Sequence, residues 1–501
     1  MHPLSNQHVL ILGLGASGLA MARWCARNEA NVTVVDTRQS PPQLEALMRD
    51  VPQATFLHAP FDASLVEGSS VRAVFKSPGL TPIEVAPVFI AAHAMGVWTT
   101  GELDLFSQAL ADLKESRGYD PKVLAVTGTN GKTTVTSLTG QLITRAGKTV
   151  AVAGNIGPTL LDTLSHALDD DRLPDVWVIE LSSFQLDQVT RFEPSAATVL
   201  NITQDHLDWH GSMAEYTGAK GHIFGESALM VLNRDDAGVM ALLPAPVKGR
   251  ALRQWIGFGS DMPQRPGDFG IEQVNGMVWL VRALEADETL KKRKGVEEEV
   301  HIQRLMPADA LRIRGRHNAL NALAALALAS AAGCALGPLL YGLREYRGEP
   351  HRVQPVGIIN DVEFFDDSKG TNVGATVAAL NGLGADRKVV VILGGEGKGQ
   401  DFSPLQVPVE RFARAVVLMG RDSALIRTAL AGCGVPVKEV TSMSDAVTRA
   451  FESAQPGDAV LMSPACASFD MFDNYEHRAR VFCESVNALA DSRGVVLEGV
   501  A

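Results

Sequence analysis

The sequence is sparing with cysteine and aromatic residues, carries no excess of positive charge, and has no long uninterrupted apolar run. Its five cysteines (Cys25, Cys334, Cys433, Cys466, Cys483) stand far apart with no CxxC spacing. That excludes a zinc-ribbon pattern and a disulfide framework, and predicts buried thiols in a reducing compartment. Lys plus Arg number 45 against 57 Asp plus Glu, a formal net charge of −12. This balance argues against nonspecific nucleic-acid binding and leaves room for a local site that takes a small anion. The most apolar stretch, Ala322 to Leu336, is alanine-rich and broken by Ser330 and Gly333. It reads as a buried helix, too short and too weakly hydrophobic for a membrane span. The run HVLILG begins at His8, so no secretory leader is expected. A soluble, cytoplasmic protein follows as the expectation.

A chain of 501 residues, 46% hydrophobic and 20% charged, has the composition of a globular protein and the length of two to four domains. Three blocks alternate short β-branched runs with helical patterns, the sign of α/β folds built on parallel sheets. Block one holds HVLILG, a helix over about 16–29, NVTVVD and VRAVFKSPGL. Block two runs from KVLAVTGTNGKTT through VWVIELSSFQL and AATVLNITQDH to the helix after Arg316, and block three holds VGIIND, KVVVILGGEG, AVVLMG and AVLMSPACAS. The boundaries are placed near Thr100 and Arg347, dividing the chain into 1–100, 101–347 and 348–501. Residues 259–300 resist this alternation. They combine a Pro/Gly-rich piece, a hairpin-like VNGMVWLV and the charge run Lys291–Lys294 followed by Glu297–Glu299, and read as a solvated insertion or mobile loop.

Two glycine-rich loops carry the chemistry. Gly13, Gly15 and Gly18 lie after one strand and before a helix, with Asp36 closing the next strand: the dinucleotide fingerprint. The glycines admit backbone N–H groups to a phosphate, and the helix start favours the anion. Nothing in the motif demands nicotinamide, and a purely structural turn is the plain alternative. The second loop, Gly128-Thr129-Asn130-Gly131-Lys132-Thr133-Thr134, again joins a strand to a helix. Lys132 is placed to reach β- and γ-phosphates and the Thr133 hydroxyl to hold Mg²⁺. Its glycines are three apart, where the usual P-loop spaces them by five. A dehydrogenase needs one such cradle; a ligase holding ATP and a nucleotide-linked substrate needs both. Glu180 ends an apolar strand and reads as either an edge acid or a metal ligand.

The order and spacing of GTNGKTT, GNIG (Gly154–Gly157), ELSSFQL, NITQDHLD, RGRHNALNALAALA and PHR (Pro350–Arg352) resemble the Mur ligases over nearly the whole chain. The resemblance implies a Rossmann-like N-terminal domain, a central P-loop-type ATPase domain and a Rossmann-like C-terminal domain. It implies ATP-driven amide formation through an acyl phosphate. Three stretches, Asp36 to Pro42, Asp366 to Asn372 and Ser463 to Tyr475, look like the members that add D-glutamate to UDP-N-acetylmuramoyl-L-alanine in peptidoglycan precursor synthesis. The Asn-Pro-Arg motif usual in the diamino-acid-adding sibling is missing. By the same resemblance Lys132, Glu180, His206 and Lys220 are catalytic. Glu180 and His206 hold a second Mg²⁺ beside the one on Thr133, and Lys220 is carbamylated, becoming an anion. Asn318 and Asn321 contact adenine, and Arg352 and Asp367 contact phosphate and ribose. Gly15, Ala16, Ser17, Asp36, Thr37, Arg38, Ser77, Pro78, Gly79 and Asn155 take the UDP-linked substrate. Lys369, Thr371, Lys398, Ser468 and Tyr475 take D-glutamate, two cations and neutral donors for a dianion. For Lys220 a plain surface lysine, and for the asparagine pair helix capping, are the plain alternatives.

The expected reaction has three steps. The L-alanine carboxylate attacks the γ-phosphate, the D-glutamate amine attacks the acyl phosphate with a base the sequence does not name, and phosphate leaves. Water is to be excluded by closure of the third block on the second, with a hinge near Arg347. A monomer is expected. A nicotinamide-dependent oxidoreductase built on Gly13–Gly18 is the rival, and GTNGKTT counts against it. A P-loop binding protein without ligation is the third reading. Phosphate release that needs both co-substrates separates all three.

Overall fold

The computed structural model describes residues 4–187, 189–247, 249, 252–286, 300–385 and 387–497. Contacts group the chain into two compact units: residues 1–202, 206–258 and 324–339, and residues 203–205, 259–323 and 340–501. The first unit holds two parallel sheets. One contains β1 (His8–Leu12), β2 (Asn31–Asp36), β3 (Thr55–His58), β4 (Val71–Lys76) and β5 (Trp98–Thr100), in the order β3-β2-β1-β4-β5. The central strands β1 and β4 are apolar on both faces: Val9 and Ile11 of β1 pack into one cluster and Leu10 and Leu12 into another. Strand order reverses at β1, so the loop after β1 opens into the crevice where such sheets take ligands.

The other sheet contains β6 (Lys122–Thr127), β7 (Val150–Gly154), β8 (Val176–Glu180), β9 (Ala196–Val199), β10 (Leu229–Asn233) and β11 (Trp255–Phe258). Within this unit the order is β11-β10-β9-β6-β8-β7, all parallel. The reversal now falls at β6. GTNGKTT follows β6, ELSSFQL follows β8 and NITQDH follows β9, so three motifs emerge from the carboxyl ends of three adjacent strands. Trp24, Phe106 and Trp177 belong to one buried cluster that serves both sheets, with the Phe106 and Trp177 rings edge-to-face at 5.0 Å.

In the second unit, β12 (Phe269–Val274), β13 (Met277–Glu285) and β14 (Val300–Pro307) form an antiparallel ribbon. Asn275 and Gly276, at φ 51° and 79°, supply the two-residue hairpin turn. The expectation of a loose insertion is therefore corrected over these strands: Leu280, Val281 and Ala283 are fully buried. The charge run 291–299 lies outside the described residues. The remaining sheet holds β15 (Gln354–Ile359), β16 (Val362–Asp366), β17 (Val389–Gly394), β18 (Ala413–Met419), β19 (Val437–Glu439) and β20 (Ala459–Met462), in the order β15-β16-β20-β17-β18-β19 with only β15 antiparallel. Val391 and Leu393 pack on one face, Val390 and Ile392 on the other.

The alanine-rich stretch lies in helices Arg316–Ala331 and Leu336–Glu345, separated at Gly333 with φ 77°. Among the described residues no helix is long and apolar enough to cross a membrane. Cys25, Cys433 and Cys466 are buried as expected, but Cys334 and Cys483 are half-buried, beyond what composition alone can place.

Candidate active site

The phosphate loop is shaped by two glycines in backbone regions that side chains avoid, Gly128 at φ 153° and Gly131 at φ 84°. Gly131, which has no side chain to cap with, is the N-cap of the helix Lys132–Arg145. Asn201, just beyond β9, braces the loop: it accepts from Thr129 N–H on its carbonyl (2.9 Å) and from Asn130 N–H on Oδ1 (2.8 Å), and donates to the Asn130 carbonyl (3.0 Å). Lys132 folds back to donate to the carbonyls of Gly128 (3.0 Å) and Thr129 (2.8 Å). Lys220 is 2% exposed, so the surface-lysine alternative fails. Its ammonium donates to the Gly128 carbonyl at 2.9 Å and sits 4.5 Å from the Tyr216 ring centroid, while the Tyr216 hydroxyl meets Thr129 Oγ1 at 3.0 Å.

Glu180 ends β8 and is 1% exposed. Its Oε1 accepts from Asn155 Nδ2 at 2.7 Å, and Asn155 N–H donates to the Glu180 carbonyl at 2.8 Å. Oε2 is buried with no hydrogen-bond partner among the described residues. A buried carboxylate oxygen left without a donor is costly for a mere edge acid and suits a metal ligand. Among the described residues no three His, Cys, Asp or Glu side chains gather as a cation cage. One carboxylate completed by phosphate, hydroxyl and water oxygens is the habit of Mg²⁺, so the donors present fit that ion. His206 stands at φ 53°, just before the short helix Leu207–His210, with its ring 4.7 Å from Phe184. Next to it His210 bonds Ser183 Oγ through Nε2 at 2.9 Å. Burial, and then the nearby His206, Lys220 and Lys76, push His210 down to about 4, so it stands neutral at pH 7.

In the first sheet, Gly18 lies so close to the loop that an added Cβ would meet the Gly13 carbonyl at 2.1 Å, whereas a Cβ added at Gly15 would have open space among the described residues. Asp36 does not reach outward as a ribose-binding acid would. Its Oδ2 accepts from Leu14 N–H (2.8 Å), its Oδ1 from Arg38 N–H (2.9 Å), and both oxygens accept the Arg38 guanidinium (2.8 Å each). Burial works against its charge, but these donors hold the carboxyl at about 2. Ser77 Oγ donates to the Gly13 carbonyl at 2.8 Å, joining the Ser77-Pro78-Gly79 loop to the glycine loop. Ser17 supports the buried Glu102, Ala16 opens the helix Ala16–Arg27, and Thr37 stays exposed. A cavity of about 430 Å³ is bounded by Lys76 and Pro78 on one side and by Phe184, Gln185 and Asp187 on the other, so it connects the two motif-bearing loops.

The second unit carries the other candidates. Asn318 Nδ2 donates to the Arg314 carbonyl (2.8 Å) and Asn321 Nδ2 to Asn318 Oδ1 (3.1 Å), so the two do share one helix face. Asp367 accepts from Ser463 Oγ (2.6 Å) and Val353 N–H (3.2 Å). Burial raises its carboxyl to about 7 against the pull of Ser463 and Arg352. Lys369 Nζ lies 3.7 Å from the Tyr475 ring centroid, so the ring face rather than the hydroxyl is what this contact uses. Thr371 N–H closes a tight loop on the Lys369 carbonyl at 2.9 Å. Glu396 and Ala467 exchange both backbone bonds (3.0 and 2.9 Å), which lays the Lys398 loop beside buried Ser468, and Lys398 Nζ is 5.9 Å from the Phe469 ring.

Sequence reasoning missed several supports. Buried Arg478 ties two loops together, donating to Ser368 Oγ (3.0 Å), the Ser368 carbonyl (2.8 Å) and the Cys466 carbonyl (3.1 Å), and burial lowers it to about 10. Its place three residues into the helix Tyr475–Ser492, facing inward with Ala479 and Phe482, was the available signal. Asn201 sat inside the quoted NITQDHLD stretch and Tyr216 four residues before Lys220, but nothing local says that they brace another loop.

Two glycine-rich strand-to-helix loops, with a buried acid beside one of them, suit a nucleotide-dependent ligase. Residues 7–101 match the Mur ligase MurD-like N-terminal domain, residues 126–329 the Mur ligase middle domain, and residues 351–466 the Mur ligase glutamate ligase domain. The chain belongs to the Mur ligase family. It is 70% identical, over the full length of both chains, to a protein of Albidiferax ferrireducens named UDP-N-acetylmuramoylalanine–D-glutamate ligase. It is 56% identical to the protein of that name from Ralstonia nicotianae, covering 99% of each. Among solved structures, the Thermotoga maritima MurF ligase in complex with ADP aligns with a TM-score of 0.57 at 15% identity, covering 98% of this chain and 96% of that one. The Thermotoga maritima UDP-N-acetylmuramate-alanine ligase aligns at 0.53 and 20% identity, covering 97% and 100%. These two likenesses bear on the fold.

Proposed function

We infer that the chain is the ATP-dependent ligase that joins D-glutamate to the L-alanine carboxylate of UDP-N-acetylmuramoyl-L-alanine, in the cytoplasm and as a monomer. The observation that carries this reading is the full-length 70% identity to a ligase so named, on a chain that keeps both anion loops. The domain division at residues 100 and 347 fits it: UDP moiety on the first, ATP on the second, amino acid on the third.

Lys132 swings from its own loop carbonyls to the transferring phosphoryl group. The helix start at Gly131 offers N–H groups to the phosphates, and Thr129, Asn130 and Thr134 shape their seat. Thr133, Glu180 and His206 are the residues that would hold Mg²⁺, whose chemistry when bound is to neutralise charge between phosphate and attacking carboxylate. Lys220 touches the phosphate loop directly, and its carbamate would exchange a buried cation for an anion there. Asn155 orients Glu180, a support role beside its expected contact with substrate. Asn318, Asn321, Arg352 and Asp367 serve the nucleotide, while Lys369, Thr371, Lys398, Ser468 and Tyr475 serve glutamate. A second amino group on the substrate side chain would bring a cation toward two lysines.

The test is phosphate release with UDP-N-acetylmuramoyl-L-alanine, ATP and a panel of amino acids. D-Glutamate should outperform L-glutamate, D-aspartate and diaminopimelate. A preference for lysine or diaminopimelate would keep the family and overturn this member assignment.

A further inference from the structure

The reaction needs an unprotonated amine, and the sequence named no base for it. His351 sits in a strained segment: it stands at φ 62° and Val353, a β-branched residue, at φ 48°. Such outliers persist where the surroundings hold a side chain in place. His351 Nδ1 is 2.6 Å from Asp366 Oδ2, and Asp366 is 1% exposed with its Oδ1 taken by Ser368 N–H (2.9 Å). A nitrogen that close to a buried carboxylate is the proton-bearing one, so in the neutral imidazole Nε2 carries the lone pair. The His351 carbonyl accepts from Lys369 N–H at 3.2 Å, and its ring lies 6.0 Å from the Tyr475 ring on which the Lys369 ammonium rests. The imidazole thus shares one small region with two groups of the glutamate set.

We propose that His351, oriented by Asp366, is the general base that takes the proton from the incoming D-glutamate ammonium; this rests on the glutamate reading given above. Nε2 accepts one ammonium proton. The freed nitrogen lone pair forms the N–C bond to the acyl carbon, the C–O bond to phosphate breaks, and phosphate leaves with that electron pair. The second amine proton is released from the tetrahedral intermediate to the departing phosphate or to solvent. The arrangement is the acid–histidine logic of a triad with an amine in place of a hydroxyl. The charged groups facing the imidazole are Asp366 from β16, Glu476 from the helix Tyr475–Ser492, and Lys369 from the loop after β16. The Asp366 hydrogen bond, against burial, raises the imidazole, with Glu476 adding to the rise and Lys369 opposing it. A base tuned upward is better matched to an ammonium proton.

The test uses the full chain, UDP-N-acetylmuramoyl-L-alanine and ATP, with D-glutamate or hydroxylamine as the amine. Hydroxylamine is largely unprotonated at neutral pH and needs no base. His351→Gln should lose about 10²-fold or more in D-glutamate coupling at pH 7, recover part of that loss as pH rises, and keep the wild-type rate of hydroxamate formation. That retained rate also shows a folded enzyme with an intact acyl-phosphate step. Asp366→Asn should move the acidic limb of the D-glutamate profile to lower pH. Equal losses with both amines, or an unchanged D-glutamate rate in His351→Gln, would overturn the proposal. Failure of the glutamate reading shows separately, as wild-type phosphate release that ignores glutamate; the same variants are then compared with the amino acid that does trigger release.

Discussion

Replacing Asn155 by alanine separates two roles for that residue. Its side chain donates the 2.7 Å bond to Glu180 Oε1, the only hydrogen bond to that carboxylate among the described residues, while its backbone N–H bond to the Glu180 carbonyl (2.8 Å) survives the change. The turn therefore keeps its shape and the acid loses its orientation. A hydrogen bond to a charged group contributes about 1.5–3 kcal/mol. Loss of an outer partner of a metal-binding carboxylate typically weakens the metal by about 10–100-fold, which is about 1.4–2.7 kcal/mol. The two figures agree, so the expected outcome is a rise of that size in the Mg²⁺ concentration giving half-maximal phosphate release, at saturating ATP and UDP-linked substrate. If the Mg²⁺ dependence stays put and only KM for the UDP-linked substrate rises, Asn155 is a substrate contact and the orienting role is wrong.

Lys132→Ala removes one preorganised cation from the transferring phosphoryl group and should slow turnover by about 10²-fold or more; near-normal steady-state rates would remove the phosphate-cradle reading. Gly18→Ala places a Cβ 2.1 Å from the Gly13 carbonyl, so overpacking of about 1–3 kcal/mol should outweigh the better helix propensity. A melting temperature that does not fall, with calorimetric binding of the UDP-linked substrate unchanged, contradicts it. The Asp36 carboxyl is held at about 2, below its ordinary value of 3.8, so its stabilising effect is present above that ordinary value and fades as pH falls toward 2. Arg38 is 54% exposed, so solvent screening leaves about 1 kcal/mol. Between pH 5 and pH 2 the wild type should lose about that much more urea stability than Asp36→Asn, and parallel curves for the two proteins would refute the linkage.

Much of this was legible in the chain because it is local. Glycines at 13, 15, 18, 128 and 131 announce backbone turns whether or not the rest of the fold is known, and β-branched runs between them announce parallel strands. The alternation of those runs was enough for three α/β blocks, and motif order was enough for the ligase family. Where local patterns were weak the reading slipped: residues 259–300 hold a hairpin-like VNGMVWLV beside a Pro/Gly-rich piece and a charge run, and read as an insertion or loop, whereas strand pairing buries Leu280, Val281 and Ala283.

The chemistry of individual side chains was settled by distant partners. Lys220 is a cation on a phosphate-loop carbonyl because a chain segment 92 residues away returns to it. Asp36, which ends its strand like a ribose-binding acid, spends both oxygens on Leu14 and Arg38. Arg478 lies 110 residues from the Ser368 it clamps. The sequence by itself determined where the chain turns, which runs become strands and which loops can cradle phosphate, because those depend on neighbours a few residues apart. Only the tertiary structure decided which acid keeps one oxygen without a donor among the described residues, which histidine is neutral and which lysine is buried, because burial and charge at a site are sums over groups that the linear order keeps far apart.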